Sequence, residues 1–228
     1  MNGSLVVTGT GTGVGKTVVT GGIAALAREA GRRVAVVKPV QTGVAAGQDG
    51  DLADVTRLSG VTDVHELDRF PDPLAPEAAA RRAGRSAPHA AEIANRIRAL
   101  SGRELVIVEG AGGLLVRLNS AGDTLCDVAA MLEAPVVVVV RAGLGTLSAT
   151  ALTCNELRRR GLRCLGVVIG SWPAEPDLAA RENLSDLPVY AGGPLLGSLP
   201  EGAGQLDPTA FLALARAHLS PVLGGRWT

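Results

Sequence analysis

A glycine-rich stretch, Gly9-Thr-Gly-Thr-Gly-Val-Gly-Lys-Thr17, follows the short apolar run Leu5–Thr8 and precedes a segment of helical period. Its glycines leave backbone N–H groups free to curl around an anion, the helix N-terminus adds partial positive charge, and a lysine stands at the tip. That is chemistry for a phosphate. The strict pattern G-x-x-x-x-G-K-[ST] asks for glycine at position 10, where Thr10 stands, so Gly9 comes one residue early and the loop is a variant longer by one. A dinucleotide fingerprint would require glycine at position 14 or 16, where Val14 and Lys16 occur, and hydride chemistry drops out. In the phosphate-loop reading Thr12, Gly13, Val14, Gly15 and Lys16 wrap the phosphates of ATP, with other nucleoside triphosphates left open. The Thr17 hydroxyl then takes a place on Mg²⁺.

Further groups stand where a magnesium-nucleotide site needs them. Glu109 directly follows the apolar run Leu105–Val108, the position from which an acid partners a phosphate-loop threonine. Gly110, Ala111 and Gly112 come next and leave room for a triphosphate against the backbone. Asp51 is a second candidate ligand that also reads as the start of a helix, and Asp49 and Asp54 compete with it. Of the 22 basic residues only Lys16 and Lys38 are lysine. Lys38-Pro-Val-Gln-Thr-Gly43 ends a second apolar run, so its ammonium is expected at the same sheet edge as the phosphate loop. Two cations over one centre suit an intermediate carrying phosphate and a second developing negative charge. His65, His89 and His218 are scattered, without a nucleophile turn or metal spacing, and are assigned to structure or solvent.

These residues need a scaffold that brings several strand ends together. Short Val/Leu/Ile runs alternate with Ala/Leu/Arg stretches of helical period, which predicts an α/β fold with a mostly parallel sheet covered by helices on both faces. Expected strands are 5–8, 33–38, 105–109, 136–140, 164–169 and 194–199. Expected helices are 17–30, 51–58, 89–100, 124–132, 147–160, 177–184 and 208–219, with Gly31 and Gly161 closing two of them. Phe70-Pro-Asp-Pro-Leu-Ala-Pro76 is expected to be a loop passing over one end of the sheet.

The 228 residues, 46% hydrophobic, are expected to form one domain spanning 1–228. Balanced charge, 22 acidic against 22 basic residues, gives no global attraction to nucleic acid or an anionic membrane. Cys126, Cys154 and Cys164 are odd in number and lack C-x-x-C spacing, arguing against a disulfide framework or zinc site and for a reducing, cytoplasmic setting. The first apolar run is interrupted at Thr8 to Thr12, too early for a membrane span, and neither export nor insertion is expected.

Taken together, Gly9–Thr17, Lys38–Gly43 and Val108-Glu-Gly-Ala-Gly-Gly-Leu114 resemble the dethiobiotin synthetase family in order and spacing, over nearly the whole chain. The resemblance implies a homodimeric ligase of biotin biosynthesis that converts 7,8-diaminononanoate, CO₂ and ATP into dethiobiotin, ADP and phosphate through a carbamate and a carbamic-phosphoric anhydride. It implies that Lys16 and Thr17 bind phosphate and Mg²⁺, that Asp51 and Glu109 complete the metal site, and that Lys38 and Thr42 face the carbamate and substrate. It further implies that Gly145, Thr146, Leu147 and Ser148 hold the substrate carboxylate across the dimer interface, and that Gly170, Ser171, Pro200 and Glu201 border the nucleotide base. The chain departs from the family at several points. Gly11 and Gly13 replace acidic residues common in the loop, Gly170 stands where many relatives carry an asparagine reading adenine, and Glu77 stands where histidine is frequent.

Two rival readings share the phosphate loop. A cobyrinic acid diamide synthase-like ATPase core needs a glutaminase partner with a reactive cysteine, and no cysteine here lies on a nucleophile turn. A partitioning or positioning ATPase usually places a second lysine early in the loop, where this chain has Gly11, and carries a basic face or tail, whereas 208–219 holds only Arg216 and His218.

Overall fold

A computed structural model describes residues 3–228. The elements in chain order are β1 (Gly3–Gly9), α1 (Lys16–Glu29), β2 (Val34–Lys38), β3 (Gln41–Thr42), α2 (Asp51–Ser59), β4 (Val64–Glu66), β5 (Arg69–Phe70), α3 (Pro76–Arg82) and α4 (Ala90–Arg98). They continue with β6 (Leu105–Glu109), α5 (Leu125–Met131), β7 (Val136–Val140), α6 (Thr146–Arg159), β8 (Cys164–Trp172), α7 (Leu178–Ala191), β9 (Leu195–Pro200) and α8 (Pro208–His218). Seven strands form a parallel sheet in the order β4-β2-β6-β1-β7-β8-β9, and β3 and β5 form a separate parallel pair.

The five valines of β7 show how the sequence builds two layers. Alternate side chains of a strand point to opposite faces, so Val136, Val138 and Val140 join one core while Val137 and Val139 join the other. The first core lies under α3 to α7, through residues such as Ile93, Val128 and Leu187. The second lies under α1, α2 and α8, through Ile23, Val55 and Ala215. All five valines are fully buried, and each such side chain contributes about 1.5–3 kcal/mol relative to exposure.

Register then decides where chemistry gathers. Val7 of β1 lies opposite Glu109 of β6, and Val37 of β2 lies opposite Val108, which makes Lys38 and Glu109 lateral neighbours at the carboxyl end of the sheet. Lys38 continues the Val34, Val36 face and Glu109 the Leu105, Ile107 face, both belonging to the core beneath α1 and α2. The N-termini of those two helices carry Thr17 and Asp51.

Four features depart from the expectations. The proline-punctuated loop ends as a helix, because Pro76 occupies the first turn, where its missing N–H costs nothing, and α3 follows. The helix expected over 177–184 runs to Ala191 through Pro188, started by Asp177, whose side chain accepts from the N–H of Ala180 at 2.7 Å. The edge strand β4 and the pair β3-β5 are too short to show a period-2 pattern in sequence.

Candidate functional site: a phosphate loop facing two carboxylates and a buried lysine

Gly15 adopts φ 91°, a conformation open to glycine, and passes the chain directly into α1. No acidic side chain of its own occupies the first turn of α1, which leaves its positive end to groups from outside the helix. The turn rests on β8: a Cβ on Gly170 would lie 2.0 Å from the Val14 carbonyl oxygen, and one on Gly15 would lie 2.5 Å from the Gly170 carbonyl oxygen. Two glycines are therefore needed for the loop to sit this close to the strand. From the other side, Arg141 donates to the Thr12 carbonyl at 3.1 Å.

At the mouth of the loop the Lys16 ammonium donates to the Gly11 carbonyl at 3.0 Å. The Thr17 hydroxyl donates to Glu109 Oε1 at 2.9 Å. Lys38 Nζ donates to that same Oε1 at 2.8 Å, to the Gly110 carbonyl at 3.2 Å, and to Asp51 Oδ2. Lys38 and Glu109 are withdrawn from solvent, while Asp51 keeps one side open to the cleft.

The two lysines differ in charge balance. Burial is the largest influence on Lys38 and pushes its pKa down, but the Glu109 and Asp51 carboxylates outweigh it and the net shift is upward. Lys16 is lowered, first by burial and then by repulsion from Lys38, with Glu109 and Asp51 only partly offsetting these. Lys38 is thus an ammonium already matched by anions. Lys16 is one that an arriving anion would relieve.

A cleft of about 820 Å³ opens over this cluster. Thr12, Gly13, Gly15, Lys16 and Thr17 form its floor, with Lys38, Thr42, Asp51, Ala111 and Gly112 beside them. Pro73-Leu-Ala-Pro76 and Val116 also line it, adding an apolar strap to a polar site. The strap, expected only as a loop over the sheet, and Gln41 are cleft-lining residues whose part in the site carries no signature in the sequence.

The remaining candidate residues lie elsewhere. Val14 is buried under the loop, and Gly170 serves as the loop's support, with Ser171 following it on β8. Pro200 ends β9, and the Glu201 N–H donates to the Trp172 carbonyl at 2.7 Å. Just beyond them Gly204 approaches Val18, a residue that lines the cleft. Gly145, Thr146, Leu147 and Ser148 start α6 and do not line the cleft of their own chain. Of the competing acids, Asp54 turns to Arg57 at 2.9 Å and Asp49 is exposed.

The donors fit magnesium. Glu109 Oε2 is buried without a hydrogen-bond partner, a costly state for a carboxylate oxygen that a cation would relieve. Thr17, Asp51 and Glu109 offer only hard oxygens. Among the described residues no group of three or more His, Cys, Asp or Glu gathers to hold a metal by itself. A hydroxyl and two carboxylates are the small set that Mg²⁺ shares with nucleotide phosphates.

Known proteins resemble this chain in sequence and in fold. A family model described as an AAA domain matches residues 3–208. The ATP-dependent dethiobiotin synthetase BioD of Frankia casuarinae is 61% identical over 223 residues, covering 97% of this chain and 94% of its own. That of Saccharopolyspora erythraea is 60% identical over 225 residues, covering 98% of each. The chain belongs to the dethiobiotin synthetase family. Structures of more distant proteins share the fold. MinD of Pyrococcus horikoshii complexed with Mg-ADP is 19% identical with a TM-score of 0.60, each chain 95% covered. A ParA family ATPase of Chlorobium tepidum is 16% identical with a TM-score of 0.57, covering 98% of this chain and 96% of its own. At such identities these two speak for the fold alone, and the family membership rests on the synthetases. Among the described residues no helix is long and apolar enough to cross a membrane.

Proposed function

We propose that the chain, as one catalytic unit over residues 1–228, joins CO₂ to 7,8-diaminononanoate and closes the ureido ring of dethiobiotin at the expense of ATP. The observation that carries this reading is the convergence of Thr17, Lys38, Asp51 and Glu109 beside the phosphate loop, with a second lysine at a site that a simple phosphate-binding turn does not require. Family membership supplies the substrates.

In this reading one amine of the substrate combines with CO₂ to give a carbamate and releases a proton. A carbamate oxygen attacks the γ-phosphorus of ATP, forming the mixed anhydride and releasing ADP. The second amine attacks the anhydride carbon, phosphate leaves, and the ring closes. Lys16 neutralises the phosphate oxygens, and the amides from Gly13 to Thr17 hold them in place. Lys38 and Thr42 orient the carbamate, with Lys38 kept charged by Glu109 and Asp51. Thr17, Asp51 and Glu109 would hold Mg²⁺, which when bound neutralises charge on the β- and γ-phosphate oxygens. The apolar wall at Pro73, Leu74 and Val116 suits an aliphatic chain and keeps water from the anhydride. No protein nucleophile is required; catalysis is positioning and electrostatics.

The start of α6 would reach the substrate carboxylate from a second copy of the chain. Support comes from Leu115, Leu144 and Leu152, which are exposed, and from a second hollow of about 310 Å³ lined by Leu114, Leu115, Val116 and Leu152. Leu152→Asp should convert a dimer to monomers in light scattering and weaken diamine binding, and a wild-type monomer would refute the arrangement. The three free thiols, Cys126, Cys154 and Cys164, suit the cytoplasm.

A purified protein supplied with the diamine, bicarbonate and Mg-ATP should yield dethiobiotin by mass spectrometry, with ADP release dependent on the diamine. Nucleotide hydrolysis indifferent to the diamine, with no dethiobiotin, would overturn the reading. The positioning-ATPase alternative is disfavoured by Gly11 and by α8, which lies against α1 with Phe211 and Ala215 buried instead of forming a free basic tail.

A further inference from the structure

The helix that presents Asp51 has no cap of its own. Its N-cap residue is Gly50, which offers no side chain, yet Asp51 must hold its carboxylate opposite Glu109. The missing acceptor comes from ten residues earlier: Gln41 Oε1 accepts the Asp51 N–H at 3.0 Å. The same amide donates through Nε2 to the Thr42 carbonyl at 3.1 Å, and Gln41 is 3% exposed. One side chain therefore ties the residue facing the carbamate to the residue facing the metal. Its neutrality matters, because a carboxylate at this position would bring a third negative charge towards Asp51 and Glu109.

The connection between the two is fastened from outside. Arg69, paired with Gln41 in the β3-β5 ladder, donates to the Ala45 carbonyl at 3.1 Å and to the Gln48 carbonyl at 2.5 Å. Glu66 holds its guanidinium at 2.5 and 2.8 Å. Gly50 passes between these groups so closely that a Cβ would lie 2.9 Å from Gln41 Oε1 and 3.1 Å from Arg69 Nη2.

We propose that Gln41 is a positioning residue for Asp51, and that Arg69 locks the 43–50 connection so that Asp51 stays beside Glu109 on the Lys38 ammonium they share, where both carboxylates can serve one metal. This rests on the magnesium-nucleotide reading of the site. The test is Mn²⁺ binding, followed by electron paramagnetic resonance in the presence of a non-hydrolysable ATP analogue, for wild type, Gln41→Leu and Arg69→Gln. The Mn²⁺ Kd should rise about tenfold in Gln41→Leu and by a smaller factor in Arg69→Gln, as for removal of a group that orients a metal ligand. Metal-free binding of the analogue should be unchanged in Arg69→Gln, whose altered side chain lies outside the cleft. A role in folding alone would lower the thermal midpoint and leave the Mn²⁺ Kd where it was, and that result overturns the proposal. Should Gln41→Leu fail to fold, Arg69→Gln decides, since Arg69 lies outside the cleft. Unchanged Mn²⁺ affinity in variants of a protein that does form dethiobiotin overturns this inference alone. Shifted affinity in variants of a protein that forms none leaves it standing and removes the proposed reaction.

Discussion

The Lys38 ammonium lies 2.8 Å from Glu109 Oε1 with both side chains withdrawn from water. A pair of this kind is costly to break from one side, because the partner left behind is a buried, uncompensated charge.

Lys38→Met should therefore lower stability by about 3–5 kcal/mol in urea unfolding and abolish dethiobiotin formation. Adding Glu109→Gln should restore much of the stability and none of the activity, since the double variant leaves no fully buried charge orphaned and Asp51 keeps its contact with solvent. Equal destabilisation in the single and double variants would show that the pairing is not what the protein depends on.

The lysines also set the response to alkali. The Lys16 pKa is lowered, so its charged form costs stability at neutral pH, and that cost is relieved as pH rises through its folded value towards the ordinary 10.5. The Lys38 pKa is raised, so its contribution is complete below 10.5 and is lost as pH climbs beyond that through its folded value. Nucleotide phosphates favour protonated Lys16, so nucleotide affinity should begin to fall below pH 10.5, with proton uptake on binding in that range. Calorimetry in two buffers of different ionisation enthalpy measures the uptake. Lys16→Ala should abolish both the uptake and turnover, and uptake that survives it must come from another group.

Gly170→Ala and Gly11→Ala make a matched pair. The first puts a methyl 2.0 Å from the Val14 carbonyl oxygen and should weaken nucleotide binding about fivefold or more, on the order of the ~1–3 kcal/mol that overpacking costs. The second meets nothing within 4 Å and should bind nucleotide as wild type does. Equal affinities would mean that the loop does not depend on its seat against β8.

The cysteines should differ in reactivity. A hydrogen bond from Cys154 pulls the Cys164 thiol down to about 7, against the opposing effect of burial, whereas burial pushes Cys126 up to about 11. At pH 7.5 iodoacetamide should modify Cys164 well before Cys126, read by peptide mass spectrometry. Earlier modification of Cys126 would contradict this ordering.

Much of the site is legible in sequence because it follows from strand ends. Val34–Lys38 and Leu105–Glu109 are apolar runs that stop at a charge, and parallel neighbours must bring those charges to one edge. The phosphate loop carries its own local signature. Gln41 is different: its acceptor role exists only because α2 returns beside β3, a long-range relation without a periodic trace. The support given by Gly170 is hidden for the same reason, since a lone glycine near the end of a strand does not say what presses against it. Helix α3 was masked by prolines that begin a helix as readily as they end one.

The valine strand has a bearing on how the molecule opens. Because Val136–Val140 serves both cores, neither helical layer can detach without exposing the other's foundation, and unfolding should be one concerted event with the slowest amide exchange along that strand. β1, which leads into the phosphate loop, is its immediate neighbour, whereas the proline strap follows β5, which lies outside the seven-stranded sheet. One jaw of the cleft is thus anchored in the last part of the protein to exchange, and the adjustment that admits and releases small molecules falls to the other.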